Sequence, residues 1–528
     1  MMDKPSVMEE LLAECIIYWL FILGIIVSSV VALHYYLSKR RYYQLARKIP
    51  APPGLPIIGH AFNILMGTEE AFRNVWNTMS DCDVCKLWLG TRLFVFIKNP
   101  ADIELVLNSR IHLCKPSESN LLKTCLGDGI NTVSGCQWKS YRQLIAPMFQ
   151  WSQTFQPILR NYSRILDDRL LKNVGKDIDC YNYMSDAVME LLLISIFGEN
   201  TDTEESKKYF EAIQKLKEII RYRQNKFWLH PDLIFNLTKY SKLQKDLLRI
   251  INRFTRQAIK NRKRALMEQG YGWPKNGYFE DQNGNIEHNN NITTCLKEGD
   301  RSPSLLELMM EVSHNGTTLM DSEIQNQVDA LVLEGLDTTA LTGSFFLGVM
   351  ADRPDIQERC AIELSQIFGD SDRQVTFEDT LQMKYLERCL METLRIHPPV
   401  PFITRELQQE LRLASTCLTI PANSTLMVDV KKLHMNEELY SSPDVFDPDN
   451  FLLEKCVSRH YYSFIPFSAG PRSCVGTKYS MLSLKVLLSS ILRKYKIFPS
   501  SGQESASMMT KDTRRTERFV IKMEHRKR

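Results

Sequence analysis

The 528-residue sequence lacks the extremes of composition that would place it in a narrow class of protein. Its net charge is only +4, from 66 Lys and Arg against 62 Asp and Glu, so nothing indicates the basic stripe of a nucleic-acid binder, and we expect no nucleic-acid partner. With 23 glycines and 22 prolines, it is neither collagen-like nor disordered. It contains no internal repeat, no Gly-x-Gly-x-x-Gly and no P-loop, so we expect no nucleotide site within the chain.

The cysteines do not indicate a disulfide framework. They number 13, an odd count, and they are scattered from Cys15 to Cys474 without regular spacing, which fits a reducing compartment better. Cys82 and Cys85 form one Cys-x-x-Cys pair. Without a second pair or histidine partners, this pair is too weak to predict a zinc site.

The N-terminus predicts a membrane anchor. An uncharged, largely apolar stretch of 19 residues runs from Cys15 to Leu33, about the length that crosses a bilayer as a helix. Residues 1–14 carry a net charge of −3 and residues 34–48 a net charge of +5. The positive-inside rule therefore predicts a lumenal tail and single-pass anchor over residues 1–38, with the rest of the chain in the cytosol. A cleaved secretory signal is the alternative, but it would need basic residues first and a shorter apolar core.

The rest of the chain is predicted to be mainly α-helical with small β-sheets. Prolines between residues 50 and 56 predict a stiff, extended connection, and with the basic residues before it this hinge spans 39–56. Two apolar runs flank Gly90-Thr91 and predict a β-hairpin. Apolar residues spaced three and four apart predict helices over much of residues 57–528, which we take as one large domain. The polar segment 270–301 predicts a surface insertion, either functional or a plain long loop.

One predicted helix, running from Asp321 to Asp352, has unusual residues at its centre. Its middle part is apolar on all sides, which predicts burial in the core. Yet the centre reads Glu334-Gly335-Leu336-Asp337-Thr338-Thr339. Gly weakens a helix, Thr can bond back to a carbonyl and bend it, and buried acids need partners or a function. The segment is either a tolerated irregularity or a local distortion of the helix that makes room for a ligand and for a path of proton transfer.

A second unusual segment precedes a predicted amphipathic helix over 478–495. It reads Phe467-Ser468-Ala469-Gly470-Pro471-Arg472-Ser473-Cys474-Val475-Gly476. At a helix N-terminus, Cys474 would have a lowered thiol pKa and a stabilised thiolate. Gly470 and Gly476 allow close approach of a planar ligand, and Arg472 can bind an anionic group. A lone Cys is more often a small buried apolar residue, but packing does not explain the Gly-Pro-Arg loop.

With these segments, the chain resembles the cytochrome P-450 family of haem-thiolate monooxygenases. The resemblance covers residues 50–500 and rests on four motifs in the expected order. They are the Cys loop Phe467, Gly470, Arg472, Cys474 and Gly476, the pair Glu392 and Arg395, the oxygen-activation motif Gly335 to Thr339, and the pair Trp138 and Arg142. The resemblance implies the cytochrome P-450 fold, with residues 57–528 as the haem-thiolate catalytic domain behind the membrane anchor.

The resemblance also implies a role for each of these residues. Cys474 would be the metal ligand, donating its thiolate to the iron of haem b. The haem propionates would be held by Trp138, Arg142, Arg405 and Arg472, while Phe467 and Gly476 belong to the haem-binding loop. Asp337 and Thr338 would deliver protons to iron-bound dioxygen. Glu392 and Arg395 would form a structural ion pair.

Two departures from the family pattern concern this ion pair. The Arg that usually follows Pro-Glu is replaced by Asn450, which cannot supply a charge. The Arg of the usual His-Arg pair is replaced by Met435. We therefore expect the network around Glu392 and Arg395 to be connected differently.

Finer resemblance points to family 4 and to the insect subfamily G. It rests on Glu334 directly before Gly335, on the strings 383–395 and 445–451, on 459–464 before the Cys loop, and on the polar insertion. In family 4, the Glu at position 334 can form an ester with a haem methyl, which would hold the haem rigidly and favour attack at a chain terminus. A plain buried acid is the alternative. Leu336 replaces the His usual in family 4.

Three functions follow from the resemblance. The first is oxidative decarbonylation of long-chain aldehydes to hydrocarbons for the cuticle, and the second is terminal (omega) hydroxylation of fatty acids. The third, of another class, is a haem-binding protein without monooxygenase turnover, although Asp337 and Thr338 are both in place. The chain is too short for a fused flavin domain, so the resemblance implies NADPH–cytochrome P-450 reductase as electron donor, with cytochrome b5 as a second candidate. It also implies a single-pass protein of the endoplasmic reticulum membrane.

Overall fold

The computed structural model describes residues 7–55, 59–60, 82–116, 120–149, 159, 162, 174–198, 203–268, 304–311, 313–314, 317–500 and 520–526. The predicted insertion at 270–301 lies outside the described residues. The described helices, labelled in chain order, are α1 Val7–Ser38, α2 Arg40–Arg47, α3 Pro100–Leu107, α4 Asn120–Leu126, α5 Gly135–Met148, α6 Cys180–Phe197, α7 Glu204–Asn225, α8 Asp232–Phe235, α9 Lys239–Glu268, α10 Leu305–Glu311, α11 Asp321–Asp352, α12 Pro354–Phe368, α13 Phe377–Gln382, α14 Lys384–Ile396, α15 Val430–His434, α16 Leu453–Ser458 and α17 Thr477–Lys494.

The strands are short, so the prediction of a mainly helical fold with small sheets is confirmed. They are β1 Val84–Leu89, β2 Arg92–Ile97, β3 Ile178–Asp179, β4 Ser313–His314, β5 Thr317–Thr318, β6 Phe402–Glu406, β7 Leu411–Arg412, β8 Thr419–Ile420, β9 Thr425–Asp429, β10 Tyr495–Pro499 and β11 Val520–His525. Single 3-10 turns cover Phe227–Leu229, Pro448–Phe451 and Tyr461–Ser463.

One compact unit comprises residues 1–96 and 407–426. It contains the predicted hairpin, in which β1 and β2 pair and Gly90 adopts the positive φ of +61° that its turn requires. It also contains the antiparallel pair β7–β8, in register Leu411↔Ile420. Residues 40–47 of the predicted hinge are helical, because the prolines that prevent a helix begin only at Pro50, whose carbonyl accepts the Lys86 N–H at 2.8 Å.

The predicted anchor lies in α1, whose described side chains are exposed and almost all apolar from Ile16 to Leu37. Among the described residues, only α11 is long and apolar enough to cross a membrane by length and composition, and it is mostly buried in the core. The apolar stretch Tyr18–Val31 within α1 is shorter than that. A membrane span at the N-terminus therefore stays a prediction.

The second unit, residues 97–406 and 427–528, is built around α11. This helix is continuous over 32 residues and, as predicted, runs from Asp321 to Asp352. A side chain at Gly343 would overlap Met184 of α6, and one at Gly335 would touch Leu192 of the same helix. The glycines that weaken α11 thus allow α6 to pack closely against it. Next to this helical core, β10, β11 and β3 form an antiparallel sheet.

Candidate active site

The Cys474 loop is a tight turn held by its own backbone. The Cys474 N–H donates to the Phe467 carbonyl at 2.9 Å, and the Ser473 N–H donates to the Gly470 carbonyl at 3.0 Å. Gly470 has a φ of +69°, and any side chain there would overlap the Leu107 carbonyl. Only glycine meets both conditions. The loop leads through Gly476, the residue before the first turn, into α17.

The thiol of Cys474 does not have the lowered pKa that its place before a helix predicts. Burial raises its pKa above the ordinary value, and hydrogen bonds involving Gly476 and Thr477 offset only part of that effect. The side chain is nevertheless exposed. A group that is accessible to solvent and yet surrounded by protein lines a recess. The pKa of Cys474 is raised because desolvation outweighs the effect of the helix terminus.

Partly buried cations cluster around this recess. Arg472 donates to the carbonyls of Leu113 (Nε, 3.0 Å) and Val133 (Nη2, 2.6 Å), and its guanidinium lies 4.4 Å from the ring centre of the buried Trp138. Arg142 Nη1 donates to the Ser473 carbonyl at 2.7 Å, which ties α5 to the Cys474 loop. Burial and the charges of Arg405 and Arg142 lower the pKa of Arg472 to about 10.

Arg405, the residue before the last of β6, has a side-chain donor that no described residue accepts. The residue is 4% exposed, Nη1 donates to the neighbouring Thr404 carbonyl at 2.8 Å, and Nη2 is buried with no hydrogen-bond partner among the described residues. Burial lowers its pKa to about 10. An unpaired buried guanidinium is costly, so this donor calls for an anionic ligand group.

Glu334 of α11 faces the same recess. Asn131 Nδ2 donates to Glu334 Oε1, and Lys115 Nζ donates to Asn131 Oδ1 at 2.5 Å. Burial raises the pKa of Glu334, and the positive charge of Lys115 opposes that rise; burial likewise lowers the pKa of Lys115. The charge of Glu334 also acts on Cys474, so α11 and the Cys474 loop bound the recess from two sides.

The charges of this recess fit the haem that the resemblance implies. The four cations are Lys115, Arg142, Arg405 and Arg472, and among the described residues Glu334 is the one carboxylate that acts on them. Two propionates and a thiolate would offset most of the remaining positive charge and of the charge that a ferric porphyrin adds. The unpaired Arg405 Nη2 supplies a donor for one of those carboxylates.

Asp337 and Thr338 are adjacent in sequence, but their side chains have partners in different helices. Asp337 Oδ1 accepts from the Tyr181 hydroxyl at 2.5 Å and lies 2.7 Å from Lys217 Nζ, while Oδ2 lies 3.5 Å from Arg221 Nη2. Burial acts to raise the pKa of Asp337, but these partners lower it overall. The Thr338 hydroxyl instead donates to the Glu334 carbonyl at 2.9 Å, one turn back in α11. Asp337 is thus held by α6 and α7.

Glu392 and Arg395 of α14 form a fully buried bidentate pair, with Arg395 Nε at 2.7 Å and Nη2 at 2.8 Å from the two carboxylate oxygens. Asn450 Nδ2 and the Asp447 N–H donate to the same carboxylate oxygen, at 3.1 and 2.8 Å. Arg395 Nη1 contacts Met435 Sδ at 3.6 Å. The amide of Asn450 thus replaces the family's charged donor.

Four residues of the site carry no signal in the sequence: Lys115, Asn131, Tyr181 and Lys217. Lys115 and Asn131 lie in loop segments that match no motif. Tyr181 and Lys217 meet Asp337 only because α6 and α7 pack against α11. Single Lys, Asn and Tyr residues outside a motif cannot be told from ordinary surface or core positions.

Comparison with known proteins finds one family that matches almost the whole chain. The family model described as Cytochrome P-450 matches residues 49–523. Cytochrome P-450 4g15 of Drosophila melanogaster is 40% identical, over 94% of this chain and 95% of that protein. Cytochrome P-450 4g1 of the same organism is 36% identical, over 95% and 92%. Cytochrome P-450 4c21 of Blattella germanica is 32% identical, over 92% and 94%.

Among solved structures, the retinoic-acid-bound cyanobacterial CYP120A1 has the same fold. The two structures superpose with a TM-score of 0.69 at 19% sequence identity, over 91% of this chain and 100% of that chain.

Proposed function

Since the chain belongs to the cytochrome P-450 family, with relatives in family 4, it is a haem-thiolate monooxygenase, and we propose that Cys474 binds its haem iron and that long-chain aliphatic lipids are its substrates. The observation that carries the assignment of Cys474 is the exposed thiol in a buried recess ringed by cations. Trp138, Arg142, Arg405 and Arg472 would hold the propionates. When bound, the haem supplies the activation of dioxygen.

The protein would contribute positioning and control of protons. The hydrogen bond to the Phe467 carbonyl and the approach of Gly470 to Leu107 set the position of the Cys474 loop. Thr338 would present its hydroxyl to the recess, and Asp337 would exchange protons once its contacts with Tyr181 and Lys217 loosen. While those contacts persist, Asp337 is ionised and turned toward α6 and α7.

We assign Glu334 as the residue that would attach the haem covalently. Its carboxyl is partly buried at the recess and oriented by Asn131. Forming the ester would take two electrons and one proton from a haem methyl as its carbon bonds to the carboxylate oxygen, with dioxygen, the oxidant of the monooxygenase reaction, taking up the electrons. The ester would fix the cofactor relative to α11. A fixed cofactor favours reaction at the end of a substrate chain, which both aldehyde decarbonylation and terminal hydroxylation require.

The reaction we favour is oxidative decarbonylation of a long-chain aldehyde. An aldehyde, dioxygen, two electrons and two protons yield a hydrocarbon one carbon shorter, carbon dioxide and water. The designations of the two Drosophila relatives, 4g15 and 4g1, agree with the resemblance to subfamily G on which this choice rests. The second candidate, terminal hydroxylation of fatty acids, is favoured by the broader relationship to family 4.

Product analysis with the full chain separates these functions. The protein is reconstituted with NADPH–cytochrome P-450 reductase and NADPH and given a long-chain aldehyde and the matching fatty acid. Decarbonylation predicts the shortened hydrocarbon with an equal amount of carbon dioxide. An ω-hydroxylated acid without hydrocarbon would replace the first candidate by the second. Normal haem binding without either product would indicate a haem protein that does not turn over.

We further propose that residues 1–38 anchor the protein in the endoplasmic reticulum membrane, with residues 39–56 as the connection and 57–528 as the cytosolic catalytic domain. The exposed apolar residues of α1 support this anchor. In the catalytic unit, an exposed apolar group at Trp228, Leu233 and Leu237 offers a second surface for a membrane. Extraction at alkaline pH should leave the protein in the membrane fraction, and release into the supernatant would contradict the anchor.

Electrons would reach the haem from NADPH–cytochrome P-450 reductase, with cytochrome b5 as a second donor. Lys478, exposed in the first turn of α17 close to the Cys474 loop, is a contact that an acidic partner would use. Lys478→Glu should slow reduction of the haem by the reductase, while reduction by dithionite stays unchanged. Equal rates of enzymatic reduction in both proteins would contradict this contact.

A further inference from the structure

A cavity of about 540 Å³ opens beside α2, the short helix that follows α1. Its lining comes from one segment of the chain and includes three cations: Arg41, Gln44, Leu45, Arg47 and Lys48. Cavities of roughly 300–1,000 Å³ accommodate small-molecule ligands. Nothing in the proposed monooxygenase chemistry uses this cavity, which lies in the unit that contains the predicted anchor.

The charge of the cavity is positive and only partly compensated. Arg41 forms a bidentate pair with Glu410, with Nε–Oε1 at 2.5 Å and Nη2–Oε2 at 2.8 Å. Arg47 and Lys48 are exposed, and in the part of the chain that the structure describes no carboxylate pairs with either of them. Residues 34–48 contain no acid at all. The cavity therefore has one neutralised cation on its wall and two that are free to bind an anion.

Aromatic rings of the kind enriched at membrane interfaces lie next to the residues of the cavity. Tyr36, near the end of α1, stacks on Tyr43 of α2 at 6.2 Å, and Tyr43 stacks on Trp88 of β1 at 5.8 Å. Tyr and Trp prefer the headgroup region of a bilayer, because their rings are apolar at one end and polar at the other. Apolar side chains of α1 continue from this level, with Leu37 and Leu33 both more than half exposed.

We propose that this cavity binds the headgroup of an anionic phospholipid. Arg47 and Lys48 would hold the phosphate and the second anionic group, Gln44 would donate a hydrogen bond, and Leu45 would contact the glycerol and the start of the acyl chains. The apolar side chain of Leu45 and the adjacent α1 favour a lipid over a free anion. The proposal rests on the membrane anchor proposed above, since the anchor would bring a bilayer to this level.

The test uses the full chain in detergent, so that binding does not depend on membrane insertion. Dihexanoylphosphatidylserine is titrated in a calorimeter, with dihexanoylphosphatidylcholine and inorganic phosphate as comparisons. We expect binding of the serine lipid alone. Arg47→Gln with Lys48→Gln should weaken that binding on the order of 30-fold, since each cation near an anionic lipid contributes about a factor of five. The haem spectrum reports whether each variant is folded.

Two further variants sharpen the result. Lys260→Gln with Arg264→Gln removes the same charge from exposed positions of α9 and should leave binding unchanged. Glu410→Gln frees Arg41 and removes a carboxylate from the cavity edge, so it should strengthen binding about fivefold.

Three results would overturn the proposal: equal binding of both lipids, equally tight binding of inorganic phosphate, or no effect of the Arg47 and Lys48 substitutions. Extraction of the wild-type chain at alkaline pH would show separately whether the anchor itself had failed.

Discussion

The buried ion pair of Glu392 and Arg395 leads to a quantitative prediction about the free energy of unfolding. Glu392 accepts two hydrogen bonds from Arg395, one from the Asp447 N–H and one from Asn450, and both members of the pair are 0% exposed. Glu392→Gln keeps the shape of the side chain and removes its charge. The guanidinium is then left buried without a counter-charge, because its other hydrogen-bond partners are neutral: the carbonyls of His434 and Val445 and the sulfur of Met435.

The expected loss is about 3–5 kcal/mol, the usual cost of removing one partner from a buried ion pair. Solvent does not reduce this energy by screening, since neither side chain is exposed. A protein of ordinary stability has about 5–15 kcal/mol, so this loss is a large part of the whole. Replacing both residues by Met should recover much of the loss, since an apolar pair leaves no charge unpaired.

Urea unfolding followed by circular dichroism measures these differences. The matched control is Glu378→Gln, which removes the same charge from an exposed position in the first turn of α13 and should change stability by less than about 0.5 kcal/mol. A loss below about 1 kcal/mol for Glu392→Gln, the range of surface pairs, would refute the reasoning.

Three further predictions concern the recess. Lys217→Met removes a positive charge that lowers the pKa of Asp337, so burial should raise that pKa. The pH at which NADPH consumption becomes coupled to product formation should then rise. The control Lys215→Met, at an exposed position of the same helix, should leave that pH unchanged. Arg405→Met removes the buried unpaired donor and should speed transfer of haem to a scavenger protein by roughly 10- to 100-fold, and an unchanged rate would contradict its role. Acid–acetone should extract haem from Glu334→Gln but not from the wild type, and haem that extracts freely from both would exclude the ester.

The helices were predictable where apolar spacing and sequence breaks agree. The range 321–352 of α11 follows from its continuous apolar pattern and from Pro354, which begins the next helix. Helix α2 was not predictable in this way, because its segment is polar and Ala46 is its one buried residue, so it has no apolar stripe.

The pKa of Cys474 shows why local reasoning about a site fails. A cysteine before a helix is expected to have a lowered thiol pKa, and the helix does begin three residues later, at Thr477. The pKa is instead raised by burial, and burial depends on segments that are distant from Cys474 in the sequence. The same applies to Asp337, whose partners Tyr181 and Lys217 come from two other helices.

The ion-pair network was predictable only in outline. Asn450 and Met435 indicate that two usual cations are missing, so a different arrangement was expected. That Asn450 would bond Glu392 directly, and that the sulfur of Met435 would contact Arg395, depends on the path of the loop from 435 to 450.

The central claim, that Cys474 binds the haem iron as a thiolate, is tested most directly by the spectrum of the reduced, carbon-monoxide-bound protein. Cys474→Ser should lose the thiolate-type band, while Cys456→Ser, a change of another exposed cysteine, should retain it. A thiolate-type band that persists in the Cys474 variant would contradict the account.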